Sequence, residues 1–193
     1  MNYCSHCGHP VSLRIPDGDN LPRYVCDHCR TIHYQNPKIV AGCLPVWENP
    51  DGEDQVLLCR RAIEPRHGLW TLPAGFMENA ETLEQAAERE SVEEANANID
   101  ELKLYTLISL PHVNQVYIMY RARLRDQRFH PGSESLEVKL FHERDIPWNE
   151  LAFHTIHFTL ERYFADRRRG HYPVHTHTIN TRNGKSADEI AKS

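Results

Sequence analysis

Two hydrophobic periods run along this chain, and the places where one gives way to the other mark its elements. Lys38–Trp47 and Gln55–Arg61 are apolar runs of strand length. They flank Asn49-Pro50-Asp51-Gly52, whose turn residues predict a hairpin. The run Trp70-Thr71-Leu72-Pro73-Ala74-Gly75 ends in residues that break regular structure, and Trp70 reads as core packing. The period then changes. Leu83, Ala86, Ala87 and Val92 fall on one flank of a helix from Thr82 to Glu94, with Thr82 or Asn79 as its N-cap. Strand patterns return at Leu102–Leu110, Val113–Leu124 and Leu136–Phe141. A last helix is expected from about Trp148 to Arg169, with Ile156, Leu160, Tyr163 and Phe164 as its apolar stripe. From Asn180 the chain is polar, with at most a short helix near Ala187–Lys192. Strands interrupted by two helices predict an α+β domain over residues 37–179, followed by a polar tail over 180–193.

Residues 1–36 form a segment of their own, left at Asn36-Pro37. They hold Cys4, Cys7, Cys26 and Cys29, two C-x2-C pairs separated by 18 residues, with Pro16-Asp17-Gly18-Asp19-Asn20 as a turn between them. That spacing predicts a four-thiolate Zn²⁺ ribbon. Two disulfides in a secreted mini-domain are the alternative. A segment this small cannot enclose a core, so the metal would supply much of its folding energy. Four histidines crowd the same segment, but four cysteines already satisfy tetrahedral zinc. The other cysteines, Cys43 and Cys59, lie in strand-like runs and read as buried, inert thiols.

Composition changes little until the charges are placed. Across 193 residues, 40% hydrophobic and 25% charged residues are ordinary for a globular protein. No apolar run is long enough to span a bilayer, and Met1-Asn2-Tyr3-Cys4 has no secretion-signal character. The expectation is a cytoplasmic protein with no membrane partner. The net charge of −5 is not spread evenly. Between Gly75 and Ala97 lie seven glutamates and one basic residue, Arg89, so this stretch alone outweighs the charge of the whole chain. Glu90, Glu93 and Glu94 are spaced to share one helix face, where like charges repel. An oxygen-rich cluster of this kind suits Mg²⁺ or Mn²⁺.

Gly75, Glu81, Arg89, Glu90, Glu93 and Glu94 also stand at the spacing G-x5-E-x7-R-E-x2-E-E. In this the chain resembles the Nudix hydrolase family. Ser91 departs from the pattern, where an aliphatic residue is usual. Asn96 also departs, replacing a glycine, but asparagine tolerates the left-handed turn that position needs. The resemblance implies an α/β/α sandwich with a mixed sheet and hydrolysis of a nucleoside diphosphate linked to another moiety. It makes Glu90 and Glu94 the principal metal ligands, with the backbone near Ala74 or Gly75 completing the shell. Glu93 becomes a ligand or the water-activating base, and Glu81 with Arg89 an ion pair that holds the loop against the helix. A further carboxylate is expected from Pro131-Gly132-Ser133-Glu134-Ser135-Leu136-Glu137, either Glu134 or Glu137. Phe76 is placed to stack on a base, and Arg61, with Arg60 and Arg66, to meet phosphates.

The ribbon ahead of this box narrows the resemblance. NADH pyrophosphatases share the layout, but their S-Q-P-W-P-F-P-x-S signature is absent from Ser109–Tyr117. Tyr34-Gln35-Asn36-Pro37-Lys38, His67–Gly75, Pro131–Glu137 and Thr178-Ile179-Asn180 look closer to hydrolases of FAD and ADP-ribose. The substrate expected is therefore a small nucleotide, FAD or ADP-ribose. NADH or an NAD-type cap is the alternative. A ribbon-bearing regulator that binds nucleic acid is the alternative of another class. Arg14, Arg23 and Arg30 are balanced by Asp17, Asp19 and Asp27, and zinc held by four thiolates adds net negative charge. That balance argues against a nucleic-acid partner. The resemblance admits a homodimer without fixing the oligomeric state. His175 and His177, alternating near the tail, read as surface or cap residues, and His154 and His157, one helical turn apart beside Ile156, have a spacing that can bind metal but more often does not.

Overall fold

A computed structural model describes residues 1–49 and 52–180. The hairpin turn at Pro50-Asp51 and the short helix expected near 187–192 lie outside the described residues. The chain divides into two compact units, of which the first is Met1–Pro37 and the second begins at Lys38. In the first, β1 (Val11–Arg14), β2 (Arg23–Cys26) and β3 (Ile32–His33) form a small antiparallel sheet.

The second unit is built on β4 (Lys38–Trp47), β5 (Gln55–Arg61), β6 (Trp70–Thr71), β7 (Ala74–Phe76), β8 (Ile99–Leu110), β9 (Gln115–Leu124), β10 (Ser135–Phe141) and β11 (His175–Thr178). Two helices, α1 (Leu83–Ala95) and α2 (His154–Arg167), accompany them. The sheet runs β10-β5-β4-β9-β8-β11, with β6 beside β5 and β7 beside β4. Its β4–β9 and β8–β11 pairs are parallel and the others antiparallel, so the sheet is mixed.

Strand alternation distributes the sheet between the helices. Leu44, Val46, Val56, Leu58 and Met119 pack with Ile156, Leu160, Tyr163 and Phe164 of α2. Their neighbours Cys43, Ile118, Tyr120 and Ala122 pack on the opposite side with Ala87 of α1. Period-two patterning on β4, β5 and β9 thus gives an α/β/α sandwich. Among the described residues no helix is long and apolar enough to cross a membrane.

Several boundaries differ from expectation for local reasons. The strand after α1 starts at Ile99, three residues early, because Ile99 and Asp100 pair with Leu124 and Arg123. The next begins only at Gln115, since Pro111–Val113 wind into a 3₁₀ turn that ends at Asn114 with φ of 52°. Trp148–Glu150 form a separate 3₁₀ turn, and α2 itself starts at His154 after the extended Phe153. His175 and His177 are half-buried rather than free at the surface. They belong to β11, where His175 Nε2 lies 2.6 Å from the buried Asp166 carboxylate and His177 stacks on Phe158 at 4.5 Å. His154 is exposed, and His157 Nδ1 lies 3.4 Å from the Glu161 carboxylate.

Candidate active site

Thr82 opens α1 with a capping box, its hydroxyl accepting from the Gln85 backbone N–H while the Gln85 side chain accepts from the Thr82 N–H. Asn96 closes the helix in the left-handed region at φ 48°, ψ 31°, as glycine would. Ser91 is fully buried at the aliphatic position of the family pattern. It is tolerated there because its hydroxyl donates to the Ala87 carbonyl at 2.8 Å. The helix carbonyls left open at the C-terminus are met from the 130–132 segment. Gly132 N–H donates to Glu94 at 3.0 Å and His130 N–H to Ala95 at 3.0 Å. A Cβ at Gly132 would overlap the Glu93 carbonyl, so only glycine allows this approach. The contact carries Glu134, two residues on, to the glutamate face of α1.

One cleft of about 1240 Å³ results, with Gly75, Glu90, Glu93, Glu94 and Glu134 along one end. Arg89 organises that end. Its guanidinium donates to both Glu81 oxygens at 2.8 and 3.0 Å, to Glu90 at 2.7 Å, to Glu93 at 3.1 Å and to the Phe76 carbonyl at 3.1 Å. The bidentate Glu81 pair ties the loop to the helix, and Arg89 holds the Glu81 carboxyl below its usual range.

Glu90 and Glu94 are buried. Burial pushes both carboxyls up. Arg89 opposes the effect at Glu90, while at Glu94 the nearby Glu90 adds to it and carries the value to about 8. Glu94 Oε2 is buried with no hydrogen-bond partner. Gly75 packs so tightly that a Cβ there would overlap the Glu90 carboxylate. Crowded, desolvated carboxylates with one orphaned oxygen fit a divalent cation, which would satisfy that oxygen and relieve the repulsion. Glu93, by contrast, exposes 59% of its side chain, so water reaches it.

The rest of the cleft lining is basic and apolar, and it adjoins the carboxylates: Arg61 pairs with Ser135 and Ala62 N–H donates to the Glu134 carbonyl at 2.8 Å. Arg61 and Arg66 belong to this part, along with Phe76, Phe153 and Tyr117. The Arg61 guanidinium donates to the Pro65 carbonyl at 2.9 Å and lies 5.2 Å over the Phe153 ring. Of the expected phosphate-binding arginines, Arg60 does not line the cleft. Glu137 is likewise not brought there, and its carboxylate lies 4.0 Å from Arg60. Alternation along β10 explains this. Glu137 shares a strand face with Lys139 and Phe141, and Phe141 packs in the α2-side core, whereas Glu90 and Glu94 belong to α1. Glu134 precedes the strand and escapes that constraint. Sequence reasoning did not single out Tyr117, Phe153, Gln115 or His112 as site residues, yet all four line the cleft. Sheet register places Tyr117 and Gln115 there, the 3₁₀ turn places His112, and the extended residue before α2 is Phe153.

In the N-terminal unit the four cysteines are brought together, with ligand atoms within 4.8 Å of one another. Cys4 and Cys29 sulfurs lie 3.6 Å apart and Cys7 and Cys26 sulfurs 3.5 Å apart. A tetrahedron with Zn–S near 2.3 Å requires S···S separations of roughly 3.8 Å, whereas a disulfide requires about 2.05 Å. The thiols are free, so the disulfide alternative is overturned and the geometry fits structural zinc. The Thr31 hydroxyl, 3.0 Å from Cys29, lowers that thiol to about 5, whereas at Cys7 the His9 backbone hydrogen bond is overcome by burial and the neighbouring thiols, which push the value up to about 12.

Fold, glutamate helix and ribbon together define a diphosphate-hydrolase architecture. The family model for the NUDIX domain matches residues 37–164, and the zinc-ribbon model described as Nudix N-terminal matches residues 2–35. The chain belongs to the Nudix family. It is 31% identical over 146 residues to the NAD-capped RNA hydrolase NudC of Salmonella paratyphi C, covering 75% of this chain and 53% of that protein. A protein of the same name from Edwardsiella ictaluri is 33% identical over 120 residues, covering 62% of this chain and 43% of that one. The chain thus spans about half the length of the curated relatives it matches. A NUDIX hydrolase from Nitrosomonas europaea superimposes with a TM-score of 0.88 at 56% identity, over 94% of this chain and 100% of that one.

These relatives overturn the expectation that argued against a nucleic-acid partner, since the curated ones are named for an RNA substrate. Charge balance in residues 1–36 bears on a phosphate grip by the ribbon alone, not on what the cleft of the second unit takes.

Proposed function

We propose that this chain is a metal-dependent hydrolase of the diphosphate bridge in a dinucleotide of the NAD type, including NAD carried at the end of an RNA. The convergence of Glu90, Glu93, Glu94 and Glu134 at one end of a cleft with Arg61 and Arg66 carries the reading. Glu90 and Glu94 would hold Mg²⁺ or Mn²⁺. When bound, such a cation offsets diphosphate charge and makes a nearby water more acidic. Arg61 and Arg66 pair with the non-bridging oxygens and orient the bridge. Glu93, reached by solvent and tethered by Arg89, accepts the proton of the attacking water, with Glu134 the alternative base on its loop. One P–O bond forms to water and the P–O–P bridge breaks, giving two nucleoside monophosphates. Phe76 stacks on a base. Zinc in the ribbon is structural.

The NAD-type substrate is favoured over FAD or ADP-ribose by the curated relatives. FAD or ADP-ribose remains the second reading, favoured by the segments at Tyr34–Lys38 and Pro131–Glu137. A panel of NAD-capped RNA, NADH, FAD and ADP-ribose assayed with Mg²⁺ and Mn²⁺ ranks them. Glu93→Gln is expected to lower kcat by roughly 10²–10⁴-fold at an unchanged or raised Tm. Turnover of none of the four by the unaltered chain would overturn the proposal.

A further inference from the structure

Register across the sheet places Phe76, Val40, Tyr117 and Ile108 in one row through β7, β4, β9 and β8. Lys38, Gln115 and Leu110 form the next row on the same face. Phe76, Val40, Tyr117, Gln115 and Leu110 all line the cleft. Just beyond, the 3₁₀ turn carries His112 into the same wall.

Two polar groups on this wall are uncommitted. Among the described residues, neither the Tyr117 hydroxyl nor the Gln115 side-chain amide has a hydrogen-bond partner. Burial holds the Tyr117 phenol above its usual range, against the pull of Arg61, so at neutral pH it is an O–H donor. His112 Nδ1 lies 3.1 Å from the Ile179 carbonyl. A carbonyl only accepts, so Nδ1 carries a proton and Nε2 is the ring nitrogen left for a ligand. The wall therefore offers one hydroxyl donor, one amide that both donates and accepts, and one ring nitrogen.

Spacing adds a shape to this chemistry. Phe76 and Tyr117 are two strands apart, roughly 10 Å, with only Val40 between them. A flat ring in van der Waals contact with an aromatic on either side needs roughly 7–8 Å. A slight lean of each ring closes the difference. Lys38, whose ammonium sits 4.9 Å from the Phe76 centroid, is exposed, and its cation–π contact is weaker than a base stack.

We infer that Tyr117, Gln115 and His112 recognise the planar nitrogen heterocycle of the substrate, with its exocyclic amine or primary carboxamide, between Phe76 and Tyr117. These are positioning and specificity residues for the base, separate from the carboxylates that act on phosphorus. The inference rests on reading the cleft as a dinucleotide diphosphate site.

Binding to the full-length, zinc-loaded chain tests it, using AMP, nicotinamide mononucleotide and FMN as base-bearing probes and ribose 5-phosphate as the baseless one. In saturation-transfer NMR the base protons should receive more saturation than the ribose protons. Gln115→Ala and His112→Ala should each weaken the preferred base-bearing probe roughly five- to tenfold, and Tyr117→Leu roughly tenfold or more. Ribose 5-phosphate affinity should not change. Should Tyr117→Leu fail to fold, Gln115→Ala and His112→Ala, at the cleft surface, carry the test. The probe most affected identifies the heterocycle. Equal losses for ribose 5-phosphate, or no loss for any base, would overturn the inference. Neither result bears on turnover, which depends on Glu93 and the cation, so failure here is distinguishable from failure of the proposed reaction.

Discussion

Gly132→Ala probes the joint between the glutamate-bearing helix α1 and the loop that carries Glu134, a base in the proposed reaction. A methyl group there would overlap the Glu93 carbonyl, and because the obstacle is backbone, no side chain can swing aside. The loop must lift. The bond from Gly132 N–H to the Glu94 carbonyl, 3.0 Å long, is then lost, worth about 1 kcal/mol. Overpacking adds about 1–3 kcal/mol. Reduced freedom of the unfolded chain returns about 0.4–1 kcal/mol. The net loss is about 2 kcal/mol, which for a domain of this size lowers Tm by about 4–8 °C. Glu134 moves with the loop, and displacement of a reacting group by about 1 Å can cost up to roughly 100-fold in rate. Differential scanning fluorimetry beside steady-state kinetics should show both effects, with kcat falling roughly 10–100-fold. Glu134→Gln separates them, lowering kcat at constant Tm. A Gly132→Ala protein with unaltered Tm would refute the packing argument, and a lower Tm with full kcat would remove Glu134 from the chemistry.

Stripping zinc with a strong chelator should abolish hydrogen-exchange protection in residues 1–37, because four thiolates sit where an enclosed core would be. Retained protection after complete zinc removal would show that the ribbon folds without metal. A pH effect is expected far from the cleft, at Asp166. Burial would raise that carboxyl, but hydrogen bonds from His175 and Tyr105 at 2.6 and 2.8 Å outweigh it and hold the group below its usual range. A depressed carboxyl contributes stability above its unfolded pKa, near 3.9, and loses it as pH falls through the lower folded value. Asp166→Asn should therefore destabilise by about 1–3 kcal/mol at neutral pH, with the gap to the parent narrowing below about pH 4. Urea melts from pH 3 to 7 would read this, and a constant gap would refute it.

Local chemistry made much of this protein legible from its residues. Thr82 announces the start of α1, and Asn96 its left-handed end, because a helix terminus needs donors and acceptors that few residues supply. Cysteine spacing likewise announces the ribbon, and β4 and β5 span the residues their apolar runs predict. What stayed hidden depends on pairing between distant segments. Glu134 and Glu137 are equivalent in sequence, and only the facing of β10 separates them. His175 looked like a tail residue because its partner, Asp166, is a buried acid on another element. Tyr117 carries no motif at all. Its place in the cleft follows from the parallel register of β9 on β4, a non-local contact with no short-range signature.

The same register explains how one sheet serves two chemistries. Gly75, Ala41 and Ile118 share a cross-strand row, and Ile118 packs on the α1 side, where the glutamates are. Phe76, Val40 and Tyr117, one residue further along β7 and one back along β4 and β9, face the α2 side. Successive residues of a three-residue strand, Gly75 and Phe76, therefore point one toward the anionic cluster and the other toward the wall of Val40 and Tyr117. A cleft that wraps the short β7 edge meets both faces at once. Crowded carboxylates concentrate negative charge that would disfavour the base recognition proposed for that wall if the two shared a surface. Pleating places them on opposite faces of the sheet by geometry alone.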